Sequence, residues 1–129
     1  MFIWKEEYEL RIEEIDKQHK ELFRIGNEAF KLLKDKLRVD KYNEILRILT
    51  ELKEYTIYHF QYEENYMLER KNKSFLSHKV EHMNFIDKIN SLDLSAIDLN
   101  QDGSILEILD FVYKWTDEHI LLKDNFTFS

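Results

Sequence analysis

The chain has 129 residues, a net charge of −7 at pH 7, no cysteine and no proline. The acidic balance argues against nucleic acid or an anionic membrane surface as a partner, and without a thiol there is no disulfide, thiolate metal site or cysteine nucleophile. No apolar run approaches the roughly 20 residues of a membrane span, and no signal-peptide pattern follows Met1, so the expected location is the cytoplasm.

One domain is expected over residues 1–129. Two glycines, 35% charged and 43% hydrophobic residues read as an all-α protein with charged outer faces and a filled core. Residues 1–15 read as an N-terminal arm anchored by Phe2, Ile3, Trp4 and Tyr8, and residues 16–129 as a helical bundle. The first helix is expected over residues 16–37, with Asp16 as its cap and a seam of Ile15, His19, Leu22, Gly26, Ala29 and Leu33. The second lies between Asp40 and Arg70, with Ile45, Ile48, Leu52, Tyr55, His59, Tyr62 and Tyr66 inward. The third spans residues 74–91, with Phe75, His78, His82, Phe85 and Ile89 inward. Residues 92–103 read as a turn. Ser104 and Glu107 form a capping-box pattern that opens a fourth helix, with Ile105, Ile108, Val112, Trp115, His119 and Leu122 inward. Short connections after the first two helices predict antiparallel neighbours, hence an up-down-up-down antiparallel four-helix bundle.

All five histidines, His19, His59, His78, His82 and His119, fall on these seams. A dry imidazole is costly unless something satisfies its polar atoms. His59 and Glu63, and likewise His78 and His82, are four apart and share a helix face. The predicted topology gathers His19, His59, Glu63, His78, His82, His119 and Asp124 at one end of the core. The step from His119 to Asp124 is the exception. Five residues turn about 140° in a regular α-helix, so Asp124 reaches the others only if the helix ends, bends or widens to a π-turn.

Imidazole and carboxylate without thiolate suit Fe, Zn, Mn or Cu, and donor softness alone does not choose among them. Five imidazoles, two bridging carboxylates and one solvent bridge would fill about eleven of the twelve positions of two octahedral ions, leaving one for a small ligand. A lone core histidine is more often a hydrogen-bonded structural residue than a ligand; the full set carries the metal reading. Leu22, Phe23, Phe60, Trp115 and Ile120 are candidate pocket walls, equally explained by core packing. Tyr55, Tyr58, Tyr62 and Tyr66 read as packing rather than a redox chain. Gly26 reads as permitting close helix approach.

The stretches Ile15-Asp16-Lys17-Gln18-His19-Lys20-Glu21-Leu22-Phe23, His59-Phe60-Gln61-Tyr62-Glu63-Glu64, His78-Lys79-Val80-Glu81-His82 and Trp115-Thr116-Asp117-Glu118-His119-Ile120, followed by Asp124, resemble the hemerythrin family in its bacterial single-domain form. The resemblance implies a non-haem di-iron centre, two Fe ions with an oxo or hydroxo bridge, that binds O2 reversibly. It implies that His78, His82 and His119 hold one iron, that His19 and His59 hold the other with its open position, and that Glu63 and Asp124 bridge the pair. The expected role is an oxygen carrier, store or scavenger. The alternatives are a redox enzyme acting on peroxide or nitric oxide, a sensor with a separate partner, and a zinc-stabilised interaction bundle. O2 is the expected partner, with nitric oxide or small anions behind it, and the chain is expected to be a monomer. It departs from the family at Arg11, where a small residue is common, in the proline-free connection over residues 69–74, and in the tail over residues 125–129.

Overall fold

The structure, a computed structural model, describes residues 2–124; residues 1 and 125–129 and the side chains of Leu122, expected inward, and Lys123 lie outside the described residues. It is all-α, with no strand among the described residues: a 3-10 turn at Glu6–Tyr8, then α1 Glu13–Lys34, α2 Tyr42–Glu69, α3 Phe75–Asn90, α4 Leu94–Leu99 and α5 Gln101–Glu118, which runs into a π-helical segment at His119–Asp124. None of these helices is long and apolar enough to cross a membrane.

Local capping chemistry moves several expected boundaries. Asp16 does not cap α1, which begins after Ile12 with no side-chain cap. Its carboxylate instead accepts from Leu10 N and Arg11 N at 2.9 and 3.1 Å. Those bonds hold the turn in which Arg11 takes φ = 60°, a left-handed conformation that a glycine would adopt at less cost. The first helix also stops short of Leu37, because Asp35 turns extended and accepts from Leu37 N and Arg38 N. The expected turn over residues 92–103 contains α4, capped by Asp93, which accepts from Ser95 N and Ala96 N. The Ser104 capping box is not formed. Asn100, upstream and among the strongest caps, accepts from Gly103 N, so α5 starts at Gln101.

α1 packs on α2 and α5, and α2 on α3. His19 meets Glu63, Arg24 meets Glu51 and Arg47 meets Glu28, so α1 and α2 run in opposite directions. The buried stripe of α2 is Ile45, Ile48, Leu49, Leu52, Thr56, His59, Phe60, Glu63 and Met67. It is rotated from the expected seam, leaving Tyr55, Tyr62 and Tyr66 half-buried on its shoulder. The heptad-like seam keeps a 3.5-residue step, whereas a straight helix advances by 3.6, and over 28 residues the two drift apart. Phe75, expected inward, is half-buried.

The arm docks through Phe2, Trp4 and Tyr8, whose rings meet Phe23 at centroid distances of 5.6, 5.6 and 5.3 Å. Ile3, expected to be an anchor, is 65% exposed. Tyr8 donates its hydroxyl to Asp117 Oδ1 at 2.5 Å. Phe2 exchanges two hydrogen bonds with the Asn27 side chain. Gly26 admits this arm rather than a second helix: a Cβ there would stand 2.6 Å from Phe2 Cδ2 and 2.8 Å from Phe2 Cζ. Gly26→Ala is therefore expected to displace the Phe2 ring and destabilise the protein by about 1–3 kcal/mol, despite alanine's helix propensity. A shift in the urea midpoint at constant slope would measure it; a stabilised variant would contradict the packing argument.

Candidate metal centre

The structure brings all seven residues singled out by sequence into one cluster, each no more than 4% exposed. His19 comes from α1, His59 and Glu63 from α2, His78 and His82 from α3, and His119 and Asp124 from the π segment. The π segment is what admits Asp124. One extra residue per turn brings its carboxylate back toward the core, with Oδ1 3.1 Å from His119 Nε2.

The cluster has two lobes. Ligand atoms of Glu63, His78, His82 and His119 lie within 4.8 Å of one another, and so do those of His19, His59 and Glu63. Glu63 Oε1 faces the two-histidine lobe, 3.1 Å from His19 Nε2 and 2.5 Å from His59 Nε2. Its Oε2 faces the other lobe, 3.8 Å from His78 Nε2 and 3.6 Å from His82 Nε2. Asp124 divides itself in the same way. Its Oδ1 lies 2.6 Å from His78 Nε2, and its Oδ2 lies 3.1 Å from His19 Nε2.

The outer ring nitrogens settle the tautomers. His59 Nδ1 lies 2.7 Å from Gln18 Oε1, while the Gln18 amide nitrogen donates to Glu14. His82 Nδ1 lies 2.9 Å from Glu64 Oε2, and His119 Nδ1 lies 3.0 Å from Glu81 Oε2. Each partner is an acceptor, so each Nδ1 carries the hydrogen and donates outward. A neutral ring then presents its Nε2 lone pair to the centre. The Nε2 atoms of His82 and His119 face each other at 3.2 Å, and His59 Nε2 faces a carboxylate oxygen. Among the described residues, Glu63 Oε2 is buried without a hydrogen-bond partner. Lone pairs aimed at lone pairs repel unless a cation, proton or metal, stands between them. The donor set of nitrogen and oxygen therefore fits iron. Two aromatic rings brace the imidazoles: Phe60 stacks on His82 at 4.0 Å and Trp115 on His119 at 4.4 Å.

The charges follow from the same contacts. Burial drives the His19 and His119 pKa values down, but the carboxylates outweigh it. Asp124 and Glu63 bring His19 up to about 9; Asp124 and Glu81, with Glu63, bring His119 up to about 10. At His59 burial wins over Glu63, and the pKa falls below its ordinary value. Glu63 lies well below the usual carboxylate range, because His59 and His19 outweigh its burial. Asp124 is lowered too, since His119 and His19 outweigh burial and the repulsion of Glu63. His19 and His119 are thus protonated near neutral pH before any metal binds. Loading is expected to release about two protons per chain at pH 7, since metal ligands must be deprotonated. A pH-stat titration measures this; release of none would show that both rings are already neutral.

Gln18, Glu64 and Glu81 were not singled out by sequence. Each adjoins a candidate ligand or lies one residue from it, but serves a histidine on a different helix. Gln18 of α1 reaches His59, Glu64 of α2 reaches His82, and Glu81 of α3 reaches His119.

The sequence model of the hemerythrin HHE cation binding domain matches residues 10–128. Bacteriohemerythrin of Clostridium acetobutylicum is 48% identical over 124 residues, covering 96% of this chain and 96% of that protein. Myohemerythrin of Sipunculus nudus is 29% identical over 119 residues, covering 88% of this chain and 91% of that protein.

Proposed function

The chain belongs to the hemerythrin family, and we propose that it binds O2 reversibly at a non-haem di-iron centre. In this reading His78, His82 and His119 hold one iron, His19 and His59 hold the other, and Glu63 and Asp124 bridge them. The observation that carries it is the division of both buried carboxylates between two groups of converging imidazole nitrogens. When bound, ferrous iron supplies an open coordination position and electrons that O2 accepts reversibly.

The chain's own residues do the rest. The outward Nδ1 hydrogen bonds of His59, His82 and His119 hold those rings with Nε2 inward. Phe60 and Trp115 fix two ring planes from behind. Burial of the whole set keeps water from the reactive edge, which suppresses loss of a reduced oxygen species. Among the described residues no acid or base beyond the candidate ligands is buried in the cluster, and binding rather than catalysis is the role we favour.

The test is iron content combined with the optical spectrum of the reduced protein before air, in air, and after air is removed. Two irons per chain, with a charge-transfer spectrum that appears and then disappears, is the expected result. An irreversible passage to an oxidised spectrum would end the case for reversible binding. Failure to take up iron would end the di-iron reading altogether.

A further inference from the structure

The two lobes of the cluster are supported unequally from behind. In the three-histidine lobe, His82 and His119 each donate Nδ1–H to a carboxylate, Glu64 and Glu81. In the two-histidine lobe, His59 donates to the neutral amide of Gln18, and His19 Nδ1 is buried with no hydrogen-bond partner among the described residues. Glu64 and Glu81 are 17% and 34% exposed, so each keeps contact with water while one oxygen reaches inward. Gln18 is 1% exposed, where a carboxylate would be far more costly.

An anionic acceptor on Nδ1–H pulls that proton outward and makes Nε2 the stronger donor to a cation; a neutral amide does so less. The added negative charge also favours the higher oxidation state of a nearby metal. We propose that Glu64 and Glu81 are positioning residues that make the three-histidine lobe the tighter-binding and more readily oxidised half of the centre, while Gln18 leaves the two-histidine half weaker and easier to keep reduced. This inference rests on the di-iron reading above. It assigns the electronic asymmetry to side chains that touch no metal, in addition to the unequal number of imidazoles.

Glu64→Gln and Glu81→Gln test it. Glutamine keeps the acceptor oxygen and the side-chain length, so only the charge changes. Zn(II) affinities read by chelator competition give a measure independent of oxygen binding. In each variant the tighter of the two affinities is expected to weaken about tenfold, with the weaker one unmoved. In the iron-loaded protein the more easily oxidised step is expected to rise, by about 59 mV for each tenfold by which the variant weakens Fe(III) more than Fe(II). The reciprocal change Gln18→Glu is expected to tighten the weaker affinity. The two glutamine variants decide the question even where Gln18→Glu fails to fold. A merely structural role would weaken both affinities together and leave the potential in place, and that overturns the inference. So would unchanged affinities and potential in folded variants, while a wild type that loads two ions leaves the di-iron reading standing. A wild type that takes fewer than two ions overturns both.

Discussion

Replacing Glu63 by alanine is expected to abolish loading of both irons and with it the O2-dependent spectrum. Glu63 belongs to both lobes of the cluster. One of its oxygens meets His19 and His59, and the other faces His78 and His82. A substitution at His19 or His82 takes a donor from one lobe; this one takes a donor from each. The metal-free protein should suffer as well, because Glu63 is a carboxylate that keeps His19 protonated in the dry core. Removing one partner of a buried charged set leaves the other uncompensated and typically destabilises by about 3–5 kcal/mol. Metal analysis and a denaturant titration of the variant measure the two effects separately. Retention of two irons with a wild-type spectrum would refute the bridging role.

Removing the metal is the second large effect, and its pH dependence has a definite sign. A ligand that binds only the folded state at 1,000 times its dissociation constant stabilises by about 4 kcal/mol per site. The metal-free protein should therefore melt well below the loaded one, and the gap should widen as pH rises. His19 and His119 have folded pKa values raised to about 9 and about 10. Their contribution to metal-free stability is complete below about pH 6.5, the unfolded value, and is lost as pH climbs through those folded values. On the acid side the direction reverses. His59, its pKa lowered by burial, reduces stability as pH falls below about 6.5. Glu63 and Asp124, with lowered pKa values, stabilise above the unfolded carboxylate range and lose that contribution as pH falls through their folded values. Metal-free stability should peak near neutrality. Metal binding instead strengthens with pH until His19 and His119 no longer hold a proton to displace. Thermal melts with and without chelator from pH 6 to 10 give the comparison. A gap independent of pH would contradict the protonation states assigned to His19 and His119.

The surface ion pairs offer no comparable effect. Arg24 and Arg47 join Glu21, Glu28, Glu44 and Glu51 across α1 and α2, but both arginines are about half exposed. Exposed pairs of this kind each contribute at most about 1 kcal/mol.

The sequence by itself determined the all-α class, the approximate extent of α2 and α3, and the seven residues that meet in the core. The reason is periodicity. A histidine four residues from a carboxylate or another histidine, on an apolar stripe, has one direction in which to point once the stripe is buried. Asp124 was the exception: a five-residue step puts it off the face of His119 unless the helix ends, bends or widens, and the π segment over His119–Asp124 supplies that departure. Helix starts were less legible, because neighbouring caps compete: Ser104 has a capping pattern, but Asn100 lies upstream and takes the role. Only the tertiary structure decided which turn Asp16 would hold, that Gly26 receives the Phe2 ring, and that Gln18, Glu64 and Glu81 stand behind histidines of other helices. In the sequence those last residues look like ordinary polar neighbours of the seam. Whether such a side chain meets solvent or the back of an imidazole depends on the rotation and spacing of two packed helices, which no period within one helix encodes.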